Sequence, residues 1–152
     1  MITTRTAKYK EIQDIIEFQI LMARETENLE LDREQLTLGV EAVFEDRAKG
    51  RFYVAVTENE DVVGCLLTTS EWSEWRNGQV IWIQSVYVKS EYRGQGVFKK
   101  LFNHVKSIME DEKSIRGIRL YAEKENIRAH QVYKSLGMNN DHYYLFELMK
   151  DF

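Results

Sequence analysis

The stretch Arg93-Gly94-Gln95-Gly96-Val97-Phe98 sets two glycines within three residues, directly after the apolar run Val80 to Val88 and directly before a helical periodicity starting at Val97. Glycine lets a backbone take φ > 0 and come close to a ligand, and the first-turn N–H groups of a helix have no acceptor within it. A diphosphate suits such a place, because the helix dipole and the converging donors both favour negative charge. A plain connecting turn could carry the same letters, so the loop by itself defines a capacity for anions. Two further groups could hold a cation. Glu25, Glu27, Glu30, Asp32 and Glu34 form an acidic stretch relieved only by Arg33, and Glu71 and Glu74 alternate with Trp72 and Trp75. Carboxylates beside aromatic faces attract ammonium groups. The same residues also read as solvated surface and packing.

Composition narrows the setting. A chain of 152 residues, 43% hydrophobic, buries a core without disulfides or metals and is expected to form one domain over residues 1–152. Its single cysteine, Cys65, sits in the apolar segment Val62-Val63-Gly64-Cys65-Leu66-Leu67 and reads as a packed thiol in a reducing compartment. No apolar run reaches the roughly 18 residues of a membrane span, and the amino terminus lacks a leader pattern, so no membrane association and a cytoplasmic location are expected. A formal charge of −4 argues against nucleic acid as a partner and permits a cationic substrate. His104, His130 and His142 lie far apart with no metal-ligand spacing, so no metal is expected and each reads as a surface or packing residue.

The elements that must position these groups follow from periodicity. Ile2 to Arg5 reads as a strand, and Ile12, Ile15, Ile16, Gln19, Met22 and Ala23 mark one face of a helix. Asp32 with Gln35 forms a capping box for a second helix, carried inward by Leu36, Val40, Val43 and Phe44 and ended by Gly50. Phe52–Thr57 and Val62–Thr69, joined by Glu58-Asn59-Glu60-Asp61, form a hairpin. Residues 70–78 read as a loop or hairpin end before the long strand to Val88. Val97, Phe98, Leu101, Phe102, Val105, Ile108 and Met109 give the clearest helix in the chain. Gly117 to Ala122 then reads as a strand, Asn126 to Leu136 as a helix with an Asn cap and a Gly137 stop, and Tyr143 to Met149 as a final strand.

This order coincides with two local motifs. Glu91-Tyr92-Arg93-Gly94-Gln95-Gly96-Val97, following Trp82-Ile83-Gln84-Ser85-Val86-Tyr87-Val88, is similar to the Arg/Gln-x-x-Gly-x-Gly/Ala loop of the GNAT N-acetyltransferases. Asn126-Ile127-Arg128-Ala129-His130-Gln131-Val132-Tyr133-Lys134-Ser135-Leu136-Gly137-Met138 resembles that superfamily's Asn-x-x-Ala-x-x-x-Tyr-x-x-x-Gly-Phe/Met segment. The resemblance spans nearly the whole chain and implies an α/β fold: a mixed, mostly antiparallel twisted sheet with a central parallel pair splayed for CoA, flanked by about four helices.

The resemblance also implies acetyl-CoA as cosubstrate. Its diphosphate would rest on backbone N–H groups of the loop, with Arg93, Gly94, Gln95, Gly96, Val97, Phe98 and Lys99 in contact, and its pantetheine arm would pair as an added strand along Val86, Tyr87 and Val88. Asn126 and Ala129 would contact the same molecule. Phe98 departs from the motif's second small position. Tyr133 matches the family tyrosine that protonates the departing thiolate, a role its phenol can fill. A backbone N–H near Val86 or Val88 would stabilise the oxyanion.

An ammonium near pKa ~10 must lose a proton before it attacks. Many relatives place a glutamate on the strand before the loop, where this chain offers Trp82 and Gln84, and neither is a base. Glu71, Glu74 or Glu123, acting through water, remain open. For the acceptor, Glu27, Glu71, Trp72 and Gln84 are the candidate contacts. Partial similarity to spermidine/spermine N-acetyltransferases points with them to a small amine or polyamine, a protein amino terminus or lysine being the next choice and a non-catalytic acetyl-CoA-binding module the rival from another class. A homodimer through edge strands or the tryptophan loop is a further expectation.

Overall fold

The structure, a computed structural model, describes residues 1–151. By its internal contacts the chain separates into two compact units, Met1–Arg119 and the residues from Leu120 onward.

The first unit is built on a five-stranded sheet. Its strands are β1 (Thr3–Thr6), β2 (Arg51–Val56), β3 (Val62–Ser73), β4 (Gly78–Val88) and β5 (Ile115–Arg119), arranged in the order β1-β2-β3-β4-β5. The first three pairings are antiparallel and β4–β5 is parallel. Helices α1 (Ile12–Glu27) and α2 (Arg33–Glu45) precede β2, and α3 (Val97–Asp111) links β4 to β5, as a parallel connection requires. Alternation in the central strands feeds two layers. Phe52, Val54, Val56, Cys65, Leu67 and Tyr87 pack with Ile12, Ile15, Ile16, Phe18 and Ile20 of α1 and Val40 of α2. On α3, Val97, Leu101, Phe102 and Val105 are buried, and the His104 ring lies 5.2 Å from that of Tyr53. His104 is thus a packing residue, with Nδ1 also 3.1 Å from Thr4 Oγ1.

Local chemistry sets the boundaries. The Asp32 carboxylate accepts from the Gln35 N–H at 3.0 Å, the cap that starts α2. That helix ends at Glu45, short of the expected stop at Gly50. Gly50 serves the entry to β2 instead, because a Cβ there would meet the Thr68 carbonyl at 2.7 Å. The β2–β3 hairpin turns on Glu60, whose φ of 66° is left-handed. β3 runs on through Ser73, so Ser70–Ser73, expected in a loop, pairs with Gly78–Ile81, and only Glu74–Asn77 turn. β5 begins and ends earlier than the expected Gly117–Ala122. Cys65 is fully buried, and burial pushes its thiol up to about 12. Before α1, buried Glu11 receives both terminal nitrogens of Arg5 and the Lys8 N–H at 2.7 Å.

The second unit contains α4 (Ile127–Ser135). Asn126 Oδ1 accepts from the Ala129 N–H at 3.1 Å, and the Met138 N–H returns to the Tyr133 carbonyl at 3.1 Å around Gly137. Both ends are those the sequence signals. Tyr143–Met149 forms no strand, contrary to expectation, and its large apolar side chains are exposed. β4 and β5 form the sheet's parallel pair, with β5 last in the strand order.

Candidate active site

The parallel pair parts early. Register between β4 and β5 ends at Trp82↔Arg119, while β4 continues for six more residues, Ile83 to Val88. Across from that stretch, Cys65 stands opposite Tyr87 and Leu67 opposite Gln84, which leaves Ser85 and Val86 together facing Leu66. This is a β-bulge, and Ser85 takes φ 55°, a conformation uncommon for a residue with a side chain. A bulge re-aims the main chain, here beside the open side of β4. Val86 and Val88 are part-exposed there. Tyr87 points the other way: it is buried, its ring stacks on Phe18 at 5.1 Å, and its hydroxyl donates to Glu25 Oε1 at 3.2 Å.

From Val88 the chain passes a single turn, Ser90–Tyr92, and reaches the glycine loop. Gly94 and Gly96 both take left-handed φ, 76° and 77°. No atom lies within 4 Å of a Cβ built on either, so the loop surface beside them is open. Gly96 caps α3 without a side-chain bond, and the first intrahelical bond is Lys100 N–H to the Gly96 carbonyl, 3.1 Å. First-turn N–H groups such as those of Val97 and Lys99 lie ahead of that ladder, where an anion would meet them together with the dipole. The Phe98 ring leans back along the helix toward Phe102, 6.1 Å between centroids, so its side chain is absorbed by packing. Gln95 Nε2 donates to the Glu91 carbonyl at 3.0 Å, closing the loop on itself. Arg93 donates Nε to the Val88 carbonyl at 2.8 Å and Nη2 to Glu25 Oε2 at 2.7 Å, and its guanidinium lies 5.3 Å over the Tyr87 ring.

The acidic candidates divide by what they touch. Glu71 Oε1 accepts from the Trp82 indole N–H at 2.7 Å, and Arg119 Nη1 bonds both carboxylate oxygens at 2.8 and 3.0 Å. The Trp82 bond and the Arg119 charge hold its carboxyl below the ordinary range despite some desolvation. A carboxylate so held is a weak base and meets a cation with its charge already balanced. In the acidic stretch Glu25 serves Arg93 and Tyr87, Glu30 pairs with Arg24 at 2.7 Å, and Asp32 caps α2. Glu27 and Glu34 carry no ion pair among the described residues. Trp72 near the end of β3 and Trp75 in the following turn are exposed, and Gln84 is half-buried on β4.

In the second unit, Asn126 and Ala129 are joined by the cap bond and Tyr133 lies on α4, its phenol pushed above its ordinary value by burial. Glu123 offers its carbonyl to His130 Nε2 at 2.8 Å. Among the described residues no three His, Cys, Asp or Glu side chains group as a metal site, and no helix is long and apolar enough to cross a membrane. Three features of the first unit escaped the sequence reading. The Ser85 bulge is marked only by a small polar residue in a bulky run, and the Glu25–Arg93 and Glu71–Arg119 pairs join residues far apart in sequence.

A mixed sheet whose parallel pair parts beside a glycine-opened helix sets open strand backbone next to an anion-binding helix terminus, and comparison with known proteins identifies the family. Residues 12–138 match the Acetyltransferase (GNAT) family, across the boundary between the two units. A solved structure described as a possible acetyltransferase from Clostridium difficile 630 is similar over all of this chain and 99% of its own, at 43% identity and a TM-score of 0.91. The bovine thialysine N-epsilon-acetyltransferase is 40% identical over 76 residues, 50% of this chain and 44% of that protein. The pig protein of the same name is 38% identical over 66 residues, 43% of this chain and 38% of its own length. The matches thus span less than half the length of these curated relatives. The chain belongs to the GNAT acetyltransferase family.

Proposed function

We propose that the protein transfers an acetyl group from acetyl-CoA to the primary amine of a small cationic molecule. The observation that carries the donor is the open side of β4 running directly into the glycine loop. Unpaired strand backbone suits the amides of a pantetheine arm, and the α3 amino terminus, with open space at Gly94 and Gly96, suits its diphosphate. Acetyl-CoA supplies the activated acyl group, and placement of the amine against it supplies much of the rate. In this reading the Arg93 bonds to Val88 and Glu25 hold the loop in register with the strand, and the bulge at Ser85–Val86 aims a backbone N–H at the acyl oxygen as charge develops there. Tyr133 donates the proton to the leaving sulfur, and its raised pKa keeps that proton in place at neutral pH. With Glu71 bound to Arg119 and Trp82, water relays the amine's proton to solvent or to Glu74 or Glu123.

The acceptor reading rests on Glu27, on Trp72 near the end of β3 and on Gln84, with the thialysine side-chain amine in the relatives' name as a guide. A screen of acetyl-CoA consumption against thialysine, lysine, polyamines, aminoglycosides and short peptides tests both halves. Turnover with a small diamine or amino acid is expected. Turnover with peptides alone would replace the acceptor, and no binding of acetyl-CoA at millimolar concentration would remove the donor.

A further inference from the structure

Glu71, Trp82 and Arg119 all lie in the first unit, one on each of β3, β4 and β5. The ladders set them on one face. Trp82 pairs with Thr69 of β3 and with Arg119 of β5, and Glu71 stands two residues on from Thr69, opposite Val80. Because side chains alternate along a strand, the three point to the same side of the sheet. Glu71 Oε1 accepts from the Trp82 indole N–H at 2.7 Å and from Arg119 Nη1 at 3.0 Å, and Oε2 accepts from the same Nη1 at 2.8 Å. One carboxylate thus ties β3 to both β4 and β5.

The place of this tie matters more than its strength. An ion pair of this kind contributes little to stability in water, whereas it fixes two side chains that belong to different strands. Trp82↔Arg119 is the last rung of the parallel ladder, and the end of a ladder is where local opening costs least. Past that rung runs Ile83–Val88, the stretch of β4 against which the acyl donor is read above. Gln84, a candidate acceptor contact, follows Trp82 by two residues on the same face. Whatever holds the last rung therefore sets where the free backbone starts and which way the indole is turned.

We propose that Glu71 is a positioning residue for acetyl transfer: through Trp82 and Arg119 it pins the last β4–β5 rung, and so sets the placement of the acyl group against the amine. This role rests on the acetyl-transfer reading and adds a residue to it. A carboxylate in such a role has to accept hydrogen bonds and never has to take a proton. The bond from Trp82, then that from Arg119, with a weaker pull from the Arg76 charge, hold its carboxyl below the ordinary range against some desolvation. Glutamine keeps an acceptor oxygen and loses the charge, and alanine loses both. A base is lost equally in the two variants, a positioning group only in the second.

Turnover is read with the amine that the acetyl-CoA consumption screen returns, thialysine first. The indole proton resonance that disappears in Trp82→Phe marks the Trp82 bond. In the parent and in Glu71→Gln that resonance should lie downfield and exchange slowly with solvent, and in Glu71→Ala it should move upfield and exchange faster. Glu71→Gln should keep kcat within about threefold and leave the acid limb of kcat/KM unchanged, whereas Glu71→Ala should lower kcat by about tenfold or more with acetyl-CoA Kd within a few fold. Arg119→Met should reproduce that loss of kcat, and it takes the place of Glu71→Ala should the latter not fold. Equal loss of kcat in Glu71→Gln and Glu71→Ala with a shifted acid limb, parental kcat in Glu71→Ala, or an indole resonance indifferent to Glu71 would each overturn the positioning role while acetyl transfer stands. A parent that binds no acetyl-CoA, or turns over no amine, would remove the acetyl-transfer reading and this role together.

Discussion

Arg93 and Glu25 are 68 residues apart in sequence and 2.7 Å apart in space, and the bond between them fastens the glycine loop to the carboxyl-terminal turn of α1. Both side chains are substantially exposed, so the pair is worth only about 0.5–1 kcal/mol. Its value lies in where it acts, since Arg93 bonds the Val88 carbonyl at the same time. Glu25→Gln should therefore weaken acetyl-CoA binding by roughly two- to fivefold in calorimetry, leave kcat nearly unchanged, and make binding less sensitive to salt than in the parent. An unchanged Kd would mean that the loop holds its shape without α1.

Gly96→Ala separates backbone strain from ligand contact. The added methyl meets nothing within 4 Å, so its internal cost is that of holding alanine at φ 77°, about 1–2 kcal/mol. That cost should appear as a modest fall in Tm. If the open space beside Gly96 is where a diphosphate approaches, acetyl-CoA affinity should fall by more than tenfold, and Gly96→Asp should abolish it by adding charge repulsion. Equal affinity in Gly96→Ala and the parent would place the diphosphate elsewhere.

For Tyr133→Phe the expected signature is a split between chemistry and binding: kcat lower by about 10²–10³, with acetyl-CoA Kd within a few fold. Burial raises the phenol's pKa, so the group stays protonated to higher pH than an ordinary tyrosine. The alkaline fall in kcat due to this group should thus begin above pH ~10. Unaltered kcat in the phenylalanine variant would remove Tyr133 from the mechanism.

Acid stability tests a pair outside the site. Burial raises the Glu11 carboxyl, and the Arg5 bonds and the Lys8 N–H outweigh it, leaving the group below its ordinary value. A depressed carboxylate contributes stability above its unfolded pKa, and that stability is lost as pH falls through the folded value. Glu11→Gln should cost about 1–3 kcal/mol at neutral pH, because Arg5 would lose its buried partner and keep only the exposed Glu60, 2.8 Å away. Chemical denaturation at pH 7 and pH 3 should show the difference from the parent shrinking at the lower pH.

Much of this architecture was legible in the sequence because local chemistry specifies it. Asp32 and Asn126 cap the helices they announce, Gly137 ends α4, and the two glycines before Val97 sit where their letters place them. Gly50 misled, since a glycine needed for close approach to Thr68 looks the same in sequence as a helix stop. The Ser85 bulge was hidden because its cause is pairing with β3, not the preference of serine. In sequence Glu71 reads as a candidate base and cation contact, because Arg119, which balances it, lies 48 residues away. Tyr143–Met149 has a strand's alternation but forms no strand, because alternation alone does not supply a pairing partner.

Cys65 closes the account from the core. Enclosed between α1 and the sheet, with Gln19 Nε2 at 3.8 Å and burial pushing its thiol up to about 12, it exists as a thiolate in negligible amount at neutral pH. It is the chain's one cysteine. Free CoA released in a reaction would then be the sole nucleophilic sulfur in solution. The folded protein should remain silent toward disulfide reagents that report that product, turn reactive only as it unfolds, and so carry within itself a marker that distinguishes turnover from loss of structure.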